Sequence, residues 1–134
     1  MNVHNIINEL ENRRSANIKK YGVFFAFSNS QLEEGMKENP IPEGEKYTRL
    51  FGGTYCASSK AKEFLSAMSA DLDWFKEAIN NGHREEYISY QLSNHEAYYT
   101  GDWTDAFERL ASEIDATEDE VAKVYFANLK NQEA

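Results

Sequence analysis

Several side chains able to do acid–base or binding chemistry gather in one short stretch, SNHEAYYTGDW, at residues 93–103. It contains one histidine, two carboxylates, two tyrosines and a threonine. Histidine titrates near neutral pH, and a neighbouring carboxylate or amide can orient its ring, so this combination suits proton transfer. The same stretch also suits the end of one helix and the start of the next, because it closes on Gly101 and Asp102.

A nucleophilic mechanism would require the single cysteine, Cys56, with His95 as the base. Asn94 or Glu96 would then orient the imidazole. The residue types suit thiolate activation, but the sequence around Cys56 carries no signature of a cysteine hydrolase. We expect Cys56 to be a small buried side chain at the end of a strand, and a small hydrolase using His95 with Cys56 or nearby carboxylates stays open as an alternative.

Metal and phosphate sites receive no support from the motifs. The three histidines, His4, His83 and His95, form no HxxxH or HExxH pattern, and no calcium-binding loop is present. Gly52-Gly53 lacks both the Lys-Ser/Thr of a phosphate loop and the glycine spacing of a dinucleotide site, so it predicts a bulge or tight turn in a strand. We therefore predict no metal and no cofactor.

Apolar periodicity over residues 84–99 predicts a helix through the first part of the stretch. Successive residues of a helix point about 100° apart, so Asn94, His95 and Glu96 would not converge on one atom. Gly101 suits the left-handed position that ends this helix, and Asp102 suits the N-cap of a helix over 103–114. The predicted binding residues are Asn94, His95, Glu96, Tyr99, Thr100 and Asp102, and the predicted structural residues are Gly101, Gly82 and Thr117.

The surrounding elements predict an α+β protein. Helical spacing covers residues 2–20 and 30–38 and then most of the chain after residue 60, where Phe64, Leu65 and Met68 begin a long apolar stripe. Residues 22–27 are expected to form a buried strand, and residues 46–58 a second extended region. We expect a single domain over 1–134, with a small two- or three-stranded antiparallel sheet covered by about six helices and an all-helical C-terminal half.

Charge is negative and unevenly distributed. The chain of 134 residues carries a net charge of −9, which argues against direct nucleic-acid binding. Residues 1–30 hold four cations and two carboxylates, a balance of +2, whereas residues 101–134 hold nine carboxylates and three cations, a balance of −6. The acidic C-terminal third fits solvated faces that aid solubility, and the alternative is an acidic surface for a basic partner, for which the aromatic content of 13% would supply contact area.

The sequence also predicts a cytoplasmic protein without a membrane span. One cysteine permits no internal disulfide, which fits a reducing compartment. The N-terminus lacks the basic-then-apolar order of a signal peptide, and the longest apolar run is Val23–Phe27.

Three segments carry a resemblance to a known family: FFAFSN at 24–29 followed by Gln31, NHEAYYTGD at 94–102, and EDEVAKVY at 118–125. Together they resemble a family of small uncharacterised proteins of bacteriophages, prophages and other mobile elements, over about residues 15–130. The motif NHE-x-x-YTGD is the most specific of the three. The resemblance implies a mobile-element setting and a location in the cytoplasm of a bacterial host, and it implies no reaction.

The leading hypothesis is a non-enzymatic accessory protein that binds a host or phage macromolecule and counteracts a host defence or nucleic-acid-handling protein. Massed DNA mimicry fits less well, since the acids alternate with apolar helix positions. Two alternatives belong to other classes: a small-molecule or nucleotide-binding domain or small hydrolase, and a structural subunit that forms a homo-oligomer.

Overall fold

The computed structural model describes residues 1–133 and forms seven helices and three strands, which confirms the α+β class and the helical C-terminal half. The helices are α1 (Val3–Lys20), α2 (Asn29–Glu38), α3 (Ser58–Asn80), α4 (Arg84–Asn94), α5 (Ala97–Thr100), α6 (Thr104–Ile114) and α7 (Glu118–Glu133). The strands are β1 (Phe24–Phe25), β2 (Tyr47–Arg49) and β3 (Thr54–Ala57).

Contacts within the chain divide it into two compact units. One comprises Asn8–Asp71, and the other comprises Met1–Ile7 together with Leu72–Ala134. We call them the sheet unit and the helical unit and describe each by itself. The expectation of a single domain over residues 1–134 stays a prediction.

The sheet unit contains a three-stranded antiparallel sheet in the order β1-β3-β2. Phe24 pairs with Tyr55 in β3, and Thr48 of β2 pairs with Cys56. A tight turn at Gly52-Gly53 joins β2 to β3, closed by the Leu50 amide donating to the Thr54 carbonyl at 2.7 Å. The glycine pair therefore forms a hairpin turn, one of the two irregularities that its sequence predicts.

Strand β1 is shorter and less covered than the sequence predicts. Residues 22–27 were expected to form a buried strand, but only Phe24 and Phe25 have strand geometry. Phe24 is buried, whereas Phe25 is 53% exposed and Phe27 is 76% exposed. Successive strand residues point to opposite faces, so Phe24 packs against Gly35 of α2 while Phe25, on the other face, stays largely open to solvent, and the expectation of a buried strand is wrong for Phe25.

The core of the sheet unit centres on Val23, Cys56 and Phe64, around which Ile18, Tyr21, Leu50, Ala61 and Met68 pack. Leu65 was expected on the same buried stripe of α3 but is 42% exposed. It directly follows Phe64, so a helix that buries Phe64 turns Leu65 about 100° away.

The helical unit packs α4 against α6 and α7. Helix α4 contributes one fully buried face: Tyr87, Ile88, Gln91 and Leu92. Facing residues come from α6 and α7, with Phe75 and Ile79 from the end of α3: Ala106, Leu110, Ile114, Val121, Val124 and Tyr125. Burial of these stripes is the main source of stability for such helices.

The predicted helix over residues 84–99 is broken in the structure. Helix α4 ends at Asn94, and Glu96 has φ 57° and ψ 29°, which is left-handed geometry. The short helix α5 then runs from Ala97 to Thr100. Periodicity alone did not reveal the interruption because apolar spacing continues across it.

Candidate functional site

The segment from Asn94 to Asp102, which we call the 94–102 turn, connects α4 to α6 by way of α5. The His95 amide donates to the Gln91 carbonyl at 3.0 Å, and the Glu96 amide donates to the Ser93 carbonyl at 3.1 Å. Glu96 is one of two non-glycine residues with positive φ in the described chain, the other being Asp115. A left-handed conformation costs a non-glycine residue about 1 kcal/mol, so the turn stores strain.

The end of the turn is a helix stop, and Asp102, which was predicted as the N-cap of the next helix, lies one residue before the actual N-cap, Trp103, which forms no side-chain capping hydrogen bond. Gly101 has φ 77°, the left-handed conformation that glycine adopts without steric cost. Asp102 Oδ1 accepts from the Thr104 amide at 2.9 Å and from the Thr104 hydroxyl at 2.6 Å. These bonds hold the pKa of Asp102 below its usual value. The helix itself begins at Thr104, one residue later than expected.

Two buried polar atoms in the turn have no hydrogen-bond partner among the described residues: His95 Nε2 and Tyr98 Oη. They belong to residues on either side of the strained Glu96–Ala97 corner. An unsatisfied buried polar group costs about 1–3 kcal/mol, and in native proteins such groups are uncommon. Strain and unpaired polar atoms therefore coincide in this segment.

Four aromatic rings from three parts of the helical unit pack together, and we call Tyr98, Trp103, Tyr125 and Phe126 the aromatic cluster. Tyr98 stacks on Tyr125 with ring centroids 5.3 Å apart and planes 7° apart. Trp103 lies 5.2 Å from Tyr125 and 5.8 Å from Phe126 between ring centroids. Phe126 is 59% exposed, so one side of the cluster faces solvent.

Tyr99 is an exposed aromatic residue of the 94–102 turn. It follows Tyr98 on α5 and is 91% exposed, although the helical pattern placed it on the same face as His95. The break at Glu96 changes the direction of the chain, so Tyr99 turns outward. Thr100, the next residue, is also exposed, and its hydroxyl oxygen accepts a hydrogen bond from the Asp102 amide at 3.2 Å.

Four carboxylates of the 94–102 turn and of the first turns of α6 and α7 have no ion-pair partner among residues 1–133: Glu96, Asp102, Asp105 and Glu118. Glu118 Oε1 accepts from Trp103 Nε1 at 3.3 Å, which places a carboxylate directly against the cluster. Two cations of α6 and α7 are already engaged, Arg109 with Glu113 at 3.2 Å and Lys123 with Asp119 at 3.3 Å.

A series of hydrogen-bonded polar side chains links α4 to α6 in the residues that precede the turn. Glu113 Oε1 accepts from the Tyr87 hydroxyl at 2.7 Å, and the same hydroxyl oxygen accepts from Gln91 Nε2 at 2.8 Å. Asn94 Nδ2 reaches Gln91 Oε1 at 3.5 Å, which is a long bond. Burial and the Glu113 carboxylate raise the pKa of Tyr87, so its hydroxyl stays protonated. The series fixes the last turn of α4 ahead of His95.

A second set of polar contacts joins the start of α4 to the end of α6 and to the first turn of α7. Arg84 donates to Glu120 through two bonds, Nε to Oε2 at 2.6 Å and Nη2 to Oε1 at 2.8 Å, and Nη1 donates to the Ile114 carbonyl at 2.9 Å. The bidentate pair lowers the pKa of Glu120 and raises that of Arg84. Thr117 Oγ1 accepts from the Glu120 amide at 3.2 Å, at the capping spacing seen in the sequence.

The remaining sequence candidates are not part of the turn. Gly82 has φ 85° directly after α3. Cys56 belongs to the sheet unit and is fully buried, and burial raises the pKa of its thiol despite the nearby Lys60 ammonium. A buried thiol with a raised pKa is a poor source of thiolate at neutral pH.

Metal ligands and membrane helices are absent from the part of the chain that the structure describes. Histidine, cysteine, aspartate and glutamate nowhere assemble into a group of three or more able to hold a metal ion within residues 1–133. In the same residues, every helix is too short or too polar to cross a bilayer.

Sequence reasoning found the 94–102 turn but missed half of the surface around it. Tyr98, Tyr125 and Phe126 were not among the predicted binding residues, and neither was Trp103. The density of aromatic residues in 98–103 and 125–126 was the available signal. Which rings would meet depends on the packing of α7 against α5, which the spacing along the chain does not specify.

The fold defines a mostly helical α+β protein. Its candidate site combines a strained backbone turn, exposed aromatic rings and carboxylates without ion-pair partners. Comparison with known protein families shows that the model of the family of unknown function DUF7659 matches residues 6–131, and the chain belongs to that family. No curated protein and no solved structure matches it.

Proposed function

We propose that this protein is a non-enzymatic accessory protein that binds a basic segment of another protein through the 94–102 turn and the aromatic cluster. The observation that carries the proposal is the coincidence of exposed Tyr99 and Phe126 with carboxylates that lack a countercharge. Tyrosine, tryptophan and their neighbours are the residues that most often dominate binding energy at interfaces.

Packing within the aromatic cluster supports a preorganised binding surface. Tyr125 is buried and contacts Tyr98, Trp103 and Phe126, so the exposed edges of the cluster rest on a fixed base. Rigid aromatic side chains lose little conformational entropy on binding. The surface therefore offers contact area that needs no rearrangement.

Charge determines the class of partner that we propose. Lysine and arginine side chains bind over aromatic faces and pair with carboxylates, and Glu118 and Asp102 lie at the edge of the cluster. Long-range attraction between opposite charges also accelerates encounter. A nucleic acid would be repelled by the same carboxylates.

The setting of this activity is part of the proposal. Resemblance of FFAFSN and NHE-x-x-YTGD to proteins of phages and other mobile elements supports a role inside a bacterial host cell. There the partner would be a host defence or nucleic-acid-handling protein. The version of the hydrolase alternative that uses Cys56 gains no support, because the thiol is fully buried and burial raises its pKa.

Capture from bacterial lysate at about 0.15 M salt, with tagged protein as bait, tests the proposal. We expect a basic protein to be retained, and the retained protein then serves for affinity measurements. Tyr99→Ala and Phe126→Ala should each weaken binding about tenfold or more, since truncation of a central aromatic residue costs about 2 kcal/mol or more. Phe27→Ala is the matched control, since Phe27 is an aromatic residue of the sheet unit whose exposure, 76%, lies between those of Phe126 and Tyr99.

Glu96→Gly separates binding from folding. Glycine relieves the left-handed strain, so we expect stability to rise by up to about 1 kcal/mol in urea unfolding while partner affinity falls with loss of the carboxylate. Asp115→Gly, at the other non-glycine position with positive φ, should leave partner affinity unchanged. Retention of no partner, or equal losses in Phe27→Ala and Tyr99→Ala, would contradict the proposal. A stable oligomer in light scattering that dissociates in Phe126→Ala would favour the structural-subunit alternative instead.

A further inference from the structure

The sheet unit contains an apolar cavity of about 310 Å³ that the proposed function does not involve. Its lining comes from α1, α3 and the sheet with its turn: Arg14, Ile18, Phe25, Phe51, Thr54, Phe64 and Met68. Phe64 is buried, whereas Phe25 and Phe51 are each more than half exposed and stand at the opening. Ligand sites are typically concave and mostly apolar, with few polar groups, and this cavity has that character.

The size of the cavity limits the ligand. A water molecule occupies about 30 Å³ in the liquid, so about 310 Å³ accommodates a ligand of about ten non-hydrogen atoms. Nucleotides, folded peptides and long-chain lipids are larger than this.

Arg14 supplies the polar end of the cavity. It is half-buried and forms no ion pair or hydrogen bond with any residue of the described chain. Arg13, its neighbour, is paired with Glu9 at 3.0 Å and with Asp71 at 3.6 Å. A guanidinium held against apolar surface without a partner is unfavourable, and its planar fork matches a carboxylate.

We propose that this cavity binds a small amphipathic monocarboxylic acid, with the carboxylate on Arg14 and the hydrocarbon part among Ile18, Phe51 and Phe64. The Thr54 hydroxyl, which also lines the cavity, is the only other polar side chain there. One cation in an otherwise apolar lining selects one negative charge joined to an apolar body. The site lies wholly within residues 8–71, so it does not depend on the aromatic cluster.

Octanoate, with ten non-hydrogen atoms, is the probe, and octan-1-ol is its uncharged counterpart. Isothermal titration calorimetry should show octanoate binding about tenfold tighter than octan-1-ol, because a hydrogen-bonded charge contributes about 1.5 kcal/mol or more. Arg14→Gln should remove this preference and leave the two affinities equal. Lys19→Gln, an equal charge change at an exposed position of α1 outside the lining, should preserve it.

A spectroscopic readout locates the ligand independently. Methyl resonances of Ile18 and Met68 should shift on addition of octanoate to the full chain and should not shift in Arg14→Gln at the same concentration. Circular dichroism melts of both variants verify that the fold is retained. Equal binding of octanoate and octan-1-ol by the unsubstituted protein would overturn the proposal, and so would the absence of octanoate binding. Sedimentation showing a dimer that Phe51→Ala dissociates, without octanoate binding, would assign the cavity to a second copy of the chain.

Discussion

The Tyr87 hydroxyl illustrates how one polar atom can determine the local structure around a site. It donates to Glu113 and accepts from Gln91, and both bonds lie inside the packing of α4 against α6. The same Glu113 oxygen, Oε1, also accepts from Arg109 Nε at 3.2 Å. The hydroxyl therefore satisfies two buried partners at once, and the end of α4 before the 94–102 turn depends on it.

Tyr87→Phe is expected to destabilise the protein by about 1–3 kcal/mol. The substitution keeps the ring but leaves the buried Gln91 Nε2 without its acceptor, and it removes one of the two hydrogen bonds that Glu113 Oε1 accepts. Urea unfolding followed by circular dichroism measures the loss. Tyr90→Phe is the control, because Tyr90 lies on the same helix and stacks on Tyr87 while none of the hydrogen bonds found for the described residues uses its hydroxyl. Equal stability of Tyr87→Phe and the unsubstituted chain would contradict the role of the hydroxyl.

Two contacts position helix α2, one at its N-terminus and one with the Phe24 ring of β1. Helix α2 starts where Ser28 Oγ accepts from the Gln31 amide at 3.2 Å, one of the two capping signals in the sequence. The Gln31 side chain accepts from the Phe27 amide at 2.7 Å, one residue before the cap. Farther along α2, Gly35 is buried directly beneath the Phe24 ring, so close that a Cβ atom would overlap it.

Gly35→Ala is expected to destabilise the protein by about 1–3 kcal/mol, although alanine favours a helix more than glycine does. The added methyl group must displace the Phe24 ring from its place in the core, and overpacking of this size outweighs the gain in helix propensity of about 1 kcal/mol. Thermal unfolding measures the effect. In a Phe24→Leu background the same substitution should cost less, since the smaller side chain leaves room. A stabilising Gly35→Ala in the original background would show that helix propensity dominates.

The whole chain holds 23 carboxylates but only 14 cations, so its stability depends on which carboxylates form ion pairs. The Arg84–Glu120 pair is the most fully engaged of them, with two hydrogen bonds between the partners. Its geometry lowers the pKa of Glu120 below the usual 4.5. Because the folded carboxyl has the lower pKa, the pair stabilises the protein above about pH 4.5, and this contribution disappears as the pH falls through the lowered value.

Glu120→Gln should therefore reduce stability at pH 7 by about 1 kcal/mol, and this loss should shrink as the pH falls toward 2 through the lowered pKa of Glu120. The value is modest because both side chains are partly exposed to solvent. Urea unfolding at several pH values gives the profile. Asp119→Asn is the control at the next position, where an exposed pair with Lys123 should contribute almost nothing at either pH. A loss for Glu120→Gln that is as large at pH 2 as at pH 7 would mean that packing, not charge, is responsible.

The amino-acid sequence by itself determined the class of the fold and most of its elements. Helical periodicity, the capping signals at Ser28 and Thr117 and the glycines after the helices are local features, and local interactions fix them before the chain packs. The hairpin at Gly52-Gly53 was predictable for the same reason. The choice of residues 94–102 as a candidate site also came from residue types alone.

Which residues lie together in the candidate site depends on the tertiary structure alone. The sequence did not reveal the break at Glu96, because its apolar spacing continues past the end of α4 to Tyr99. Only the packing of Ala97 and Tyr98 in the helical unit imposes left-handed geometry on Glu96. The meeting of Tyr98 and Trp103 with Tyr125 joins residues more than twenty positions apart. Contacts of that separation depend on how buried faces fit together, and a sequence pattern specifies which face is buried but not which residues it meets.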